Sequence, residues 1–172
     1  MGVVLMLKIE SWFKEEAKGT AVLFYMVIFL ILDLFLNCLI SMLFDVFNVV
    51  VPHSEPNSSI LTFYFPIILL GMAFIEEIFF RFPLVLLVAL KLRLWIILAV
   101  SVILSIIFGL LHGGIPNIFL QGIGGLFYSI LFLKCGGYHG KLIKPLAAAA
   151  FTHFFFNGVL VLMCLAQGIY KI

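Results

Sequence analysis

From Ala21 to Phe44 the chain carries one charged residue, Asp33, among otherwise apolar side chains. A membrane-crossing helix needs roughly 20 such residues, so this run already commits the chain to a bilayer. Further apolar runs cover Ile60 to about Leu90, Leu94–Leu111, Asn117–Leu133 and Leu146–Ala166. Composition agrees: 65% of the 172 residues are hydrophobic, 10% are charged, and mean hydropathy is +1.32. A soluble domain carries about 25% charged residues. The expected fold class is all-α, a polytopic transmembrane bundle of about five to six spans in the cell membrane.

Residues 1–19 read differently. Leu5, Ile9, Trp12 and Phe13 share one helical face, while Lys8, Glu15 and Lys18 lie mostly elsewhere. That pattern predicts an amphipathic helix lying at the membrane interface, followed by a membrane domain over 20–172. Val3–Leu7 is too short an apolar core for a cleavable signal peptide, so the first long run reads as a signal anchor.

Polar punctuation divides the spans. "DVFNVVVPHSEPNSS" at 45–59 is a turn-rich loop, Lys91–Arg93 ends the second run, and His112–Pro116 ends the third. Gly122, Gly124 and Gly125 allow close helix approach in the fourth. Pro145 falls in the first turn of the fifth, where proline is tolerated. Pro83 predicts a kink in the second, or a break that would release a sixth short helix over 82–90. Lysine and arginine precede the first span and recur at 81–93 and 134–144, whereas 45–59 and 112–116 contain none. The positive-inside rule then places the N-terminus in the cytoplasm, with five crossings.

A net charge of +2 without a basic cluster argues against nucleic acid as a partner. Cys38, Cys135 and Cys164 lie at no metal spacing and read as small packing residues.

The charges inside the spans carry the functional information. An ionisable group there requires a partner and suggests a role. In "AFIEEIFFRF" Glu77 and Arg81 are four apart and share a helix face. Glu76 is turned about 100° away, so the arginine neutralises one carboxylate and leaves the other facing a neighbouring helix. A plain structural ion pair accounts for Glu77 and Arg81 but leaves the second glutamate unexplained. Phe108 and His112 share a face at the end of the third span, and His153 and Asn157 share one in the last. Asp33 and Asn37, also four apart, read as a minor polar contact or as cavity lining.

Glu76-Glu77-x-x-x-Arg81, then Phe108-x-x-x-His112, then His153-x-x-x-Asn157, each on its own hydrophobic helix, resembles the CPBP family of intramembrane proteases. That family includes the CAAX prenyl endopeptidases of the Rce1 type and the Abi or bacteriocin-processing proteins. The resemblance implies an intramembrane endopeptidase acting on a membrane-associated or prenylated peptide or protein. It assigns Glu76 as general base, His112 as the group that orients the water, and His153 and Asn157 as oxyanion donors. Glu77 and Arg81 brace the helix and tune Glu76. The family's chemistry implies no cofactor. A zinc held by Glu76, His112 and His153 is the alternative, although no His-Glu-x-x-His helix is present. Two other functions stay open: a catalytically silent immunity or scaffold protein, and, less well matched to the motif order, a transporter or proton relay.

Overall fold

The computed structural model describes residues 2–51 and 65–166. Its helices are α1 (Gly2–Lys14), α2 (Thr20–Val46), α3 (Phe65–Ala89), α4 (Leu94–Leu111), a short α5 (Ile115–Asn117), α6 (Ile123–Lys134) and α7 (Ile143–Ala166). A π-helical turn, Ile118–Gly122, joins α5 to α6. Four stretches are long and apolar enough to cross a membrane: Thr20–Val46, Leu94–Leu111, Ile115–Lys134 and Ile143–Ala166. The 25-residue α3 is as long, but it carries Glu76, Glu77 and Arg81 in its interior. Among the described residues there is no strand. The protein is an integral membrane helix bundle, as its sequence predicts. Most of the polar segment expected at 45–59 lies outside the described residues.

The interior of the bundle mixes polar with apolar side chains, and its exterior is largely apolar. Asp33, Asn37, Glu77, Arg81, Ser101, Ser129, Thr152 and His153 are buried, whereas Phe24, Ile31, Phe35, Phe79 and Ile103 are exposed. Lipid tails do not drive apolar side chains inward, so polar contacts and close packing hold such helices together. The periodicity makes this possible. Residues 29, 33 and 37 of α2 are buried, as are 73, 77, 81 and 84 of α3, so each helix turns one stripe inward. α7 is the central element and packs on α2, α3 and α6.

α3 runs through Pro83 without a break, so the alternative sixth helix over 82–90 does not form. Proline removes one backbone hydrogen bond. Tertiary anchors on both sides compensate: Arg81 is fixed to Glu77, and Leu84 is fully buried in the core. Prolines within membrane helices are tolerated on such terms.

α4 meets the π turn at backbone distance. A Cβ added at Gly109 would lie 2.5 Å from the Asn117 carbonyl oxygen and 2.5 Å from the Ile118 Cα. One at Gly122 would lie 2.8 Å from the Ser105 carbonyl oxygen. Neither clash is with a flexible side chain, so neither can be relieved by a rotamer change. Gly109→Ala therefore forces α4 and the turn apart. Overpacking of this kind costs about 1–3 kcal/mol and occasionally more. We expect a lower thermal midpoint and a smaller monodisperse fraction in detergent; an unchanged midpoint would show that the close contact is dispensable.

α1 is fastened to the bundle by its C-terminal end. Phe13 lies in the main core cluster, and Lys134 donates to the carbonyls of Trp12 (2.6 Å) and Glu15 while sitting 4.5 Å above the Trp12 ring. Val4, Leu5, Met6 and Leu7 remain exposed. The face predicted to enter lipid is thus divided, with its last turn packed against protein. Glu16 completes the clamp, accepting from Lys141 (2.6 Å) and Lys144 (2.8 Å). Those two hydrogen bonds hold its carboxyl down at about 2. A depressed carboxylate stabilises the fold above its unfolded value and loses that contribution as pH falls towards the folded one. Hydrogen-exchange protection in α1, relative to the unfolded chain at the same pH, is therefore expected to fall between about pH 4.5 and 2. Glu16→Gln should show the lower protection already at neutral pH.

Candidate active site

Three helices bring the predicted groups together. Glu76 and Glu77 sit mid-helix on α3, His112 caps the C-terminal end of α4, and His153 lies in the buried face of α7. The Glu76 Oε2 atom is 3.6 Å from His153 Nε2 and 3.9 Å from His112 Nε2. Two histidines at very different positions along their helices therefore meet at one carboxylate.

The other ring nitrogens are already committed. His112 Nδ1 lies 2.8 Å from the Phe108 carbonyl, which can only accept, so Nδ1 carries the hydrogen. His153 Nδ1 donates in the same way to Glu77 Oε1 at 3.1 Å. Both Nε2 atoms thus face Glu76. The Glu76 Oε2 atom is itself buried and has no hydrogen-bond partner among the described residues. Distances of 3.6 and 3.9 Å are too long for direct hydrogen bonds, and polar groups at such spacing are commonly bridged by water.

Glu77 is the hinge of the arrangement. Its Oε2 accepts from Arg81 Nε at 2.7 Å while its Oε1 accepts from His153, and both Glu77 and Arg81 are almost fully buried. Arg81 Nη1 continues to Ser129 Oγ on α6 at 2.6 Å, and Ser129 donates to the Gly125 carbonyl. One buried ion pair therefore connects α3, α6 and α7. Asn157 lies one turn beyond His153 and is half-buried; its side chain forms no hydrogen bond among the described residues. The Glu76 and His112 side chains are 26% and 32% exposed, so the cluster opens on their side while His153, at 1%, closes it on the other.

Aromatic rings set the planes of the imidazoles. Phe108 packs on His112 with centroids 4.2 Å apart and turns its edge to His153 at 5.8 Å. Gly125 leaves room for the Phe108 ring, since a Cβ there would approach it to 3.1 Å. Tyr128 stacks on His153 at 5.0 Å with 23° between planes. The Tyr128 hydroxyl donates to Asp33 Oδ2 at 2.6 Å, and Asn37 Nδ2 donates to Asp33 Oδ1 at 3.0 Å. Asp33 and Asn37 form a buried hub tying α2 to α6, one ring away from His153. Nothing in the sequence pointed to Tyr128 or Ser129.

Among the described residues, no group of three or more His, Cys, Asp or Glu side chains is arranged to hold a metal ion.

A family model described as type II CAAX prenyl endopeptidase Rce1-like matches residues 58–159. That is more than half of the chain, and it takes in every motif residue from Glu76 to Asn157. The chain belongs to the Rce1-like family. No curated protein and no solved structure matches it. Membership makes this Rce1-like protein a protease of the CAAX type, associated with the membrane and acting on a peptide or protein substrate. The converging residues of α3, α4 and α7 all fall within the matched region.

Proposed function

We propose that the protein is an intramembrane endopeptidase in which Glu76 activates water without a metal. The observation that carries this reading is the unpartnered Glu76 Oε2, faced by two imidazole nitrogens whose opposite nitrogens are held elsewhere. A water seated there gives one hydrogen to Glu76 and the other to His112 Nε2. As its oxygen attacks the scissile carbonyl carbon, Glu76 takes the proton and the carbonyl becomes an oxyanion. His153 Nε2 can donate to that oxygen in the imidazolium form, whose charge the Glu77 carboxylate at 3.1 Å offsets. Asn157, one turn further along α7, supplies the second donor. The carbon–nitrogen bond then breaks, and Glu76 returns its proton to the leaving amine. The products are a carboxylic acid and an amine, and the base is regenerated.

The substrate is a membrane-associated or prenylated peptide or protein. In this reading residues 1–19, with α1, rest at the membrane surface, and the protease domain covers 20–172. The protein is a multi-pass protein of the cell membrane with its basic turns in the cytoplasm.

The test compares peptides in membranes of cells carrying wild type and Glu76→Ala. At least one membrane-derived fragment should be present only with wild type. Purified wild type should then cleave the parent peptide and continue after exhaustive chelation. Activity lost to phenanthroline and restored by zinc would transfer the activating role to a metal held by Glu76, His112 and His153.

A further inference from the structure

Two cavities lie side by side beneath α1, of about 380 and 510 Å³. Both are lined by Ile9 and Leu98, which makes them one continuous groove between α1 and the start of α4. One part is apolar, with Phe13, Leu98 and Ile130 beside Lys8. The other is bordered by Glu10, Lys91, Arg93, Trp95 and Tyr138.

The charges on its rim are unbalanced. Lys8, Lys91 and Arg93 form no side-chain hydrogen bond or ion pair among the described residues, and Lys91 and Arg93 are exposed. Glu10, the one acid on the rim, is already paired with Lys14 at 2.9 Å. Both tryptophans of the chain, Trp12 and Trp95, line the groove, and such rings anchor at the headgroup level of a bilayer. An apolar trough under a cationic, aromatic rim matches an amphiphile with a negative head.

The groove is remote from the candidate active site. Trp95 precedes His112 by about 25 Å along α4, and Lys91 follows Glu76 by about 22 Å, at 1.5 Å per residue. A molecule seated here is therefore not placed for cleavage.

We propose that this groove binds one anionic phospholipid, its phosphate held by Lys91 and Arg93 and an acyl chain laid over Leu98 and Ile130. Basic recesses between membrane helices are suited to such headgroups. The bound lipid would lie between α1 and α4 and add to the Glu16 clamp beyond the end of α1. This assignment does not depend on the protease reading.

Tryptophan quenching tests it directly, because both reporters line the site. The full chain is reconstituted in phosphatidylcholine vesicles doped with brominated phosphatidylglycerol or with brominated phosphatidylcholine. Half-maximal quenching is expected at a mole fraction about fivefold or more lower for the anionic lipid. The exposed double substitution Lys91→Gln/Arg93→Gln should erase that preference without changing helix content. Equal quenching by both lipids in wild type overturns the proposal. So does displacement of the brominated lipid by inorganic phosphate, which would leave only an anion site. Equally effective displacement by a prenylated peptide would make the groove a substrate port and overturn it too.

Discussion

Glu76→Gln is expected to lower turnover roughly 100-fold or more, the usual size of a general-base contribution, with little change in the amount of folded protein. The substitution keeps the length and hydrogen-bonding shape of the side chain but cannot accept a proton. Stability should change little because the Glu76 Oε2 atom has no partner to lose, and the side chain is partly exposed. KM should change much less than kcat, since the carboxylate acts on the reacting water rather than on remote parts of the substrate. The measurement is cleavage of the fragment's parent peptide in proteoliposomes, normalised to monodisperse protein. If Glu76→Gln cells retain full function, for example undiminished bacteriocin immunity, the catalytic reading gives way to the scaffold one.

Arg81→Ala is expected to act on a different quantity. Arg81 is 2% exposed, and it neutralises Glu77 at 2.7 Å while reaching Ser129 at 2.6 Å. Its removal leaves a buried carboxylate without its cation. Breaking a buried pair from one side costs about 3–5 kcal/mol, a large share of the stability of an ordinary domain. Protein levels in the membrane should fall sharply, and the surviving protein should be inactive because Arg81 no longer fixes the Glu77 carboxylate that orients His153. Arg81→Ala/Glu77→Gln removes the stranded charge as well. It should recover a good part of the expression without recovering activity. Wild-type expression of the single variant would show that Glu77 finds another counter-charge.

Helix number, the apolar exterior and the Glu77–Arg81 pair were legible in the sequence, for simple reasons. A bilayer demands long apolar runs, and residues four apart on a helix share a face whatever surrounds them. The inward stripes of α2 and α3 follow from that same periodicity. The three motifs were legible too, but only as candidates, because one-dimensional spacing says nothing about which faces of different helices meet. His112 ends its helix whereas His153 lies well inside its own, and no pattern shows that both Nε2 atoms approach Glu76 Oε2 within 4 Å. That convergence depends on how α3, α4 and α7 pack, and packing depends on contacts remote in sequence: Gly109 against the Asn117 carbonyl, Gly125 against the Phe108 ring. The same holds for Pro83, where local chemistry allows a kink or a break and the anchored neighbours keep the helix continuous. Asp33 is the sharpest case. Its sequence shows a lone acid in an apolar run with an asparagine four residues on; only the fold brings the Tyr128 hydroxyl to 2.6 Å and so ties α2 to the ring behind His153. Local periodicity determined the elements and their polar stripes, whereas tertiary packing alone decided which stripes face one another, because side-chain contacts between helices depend on backbone approach that no single helix encodes.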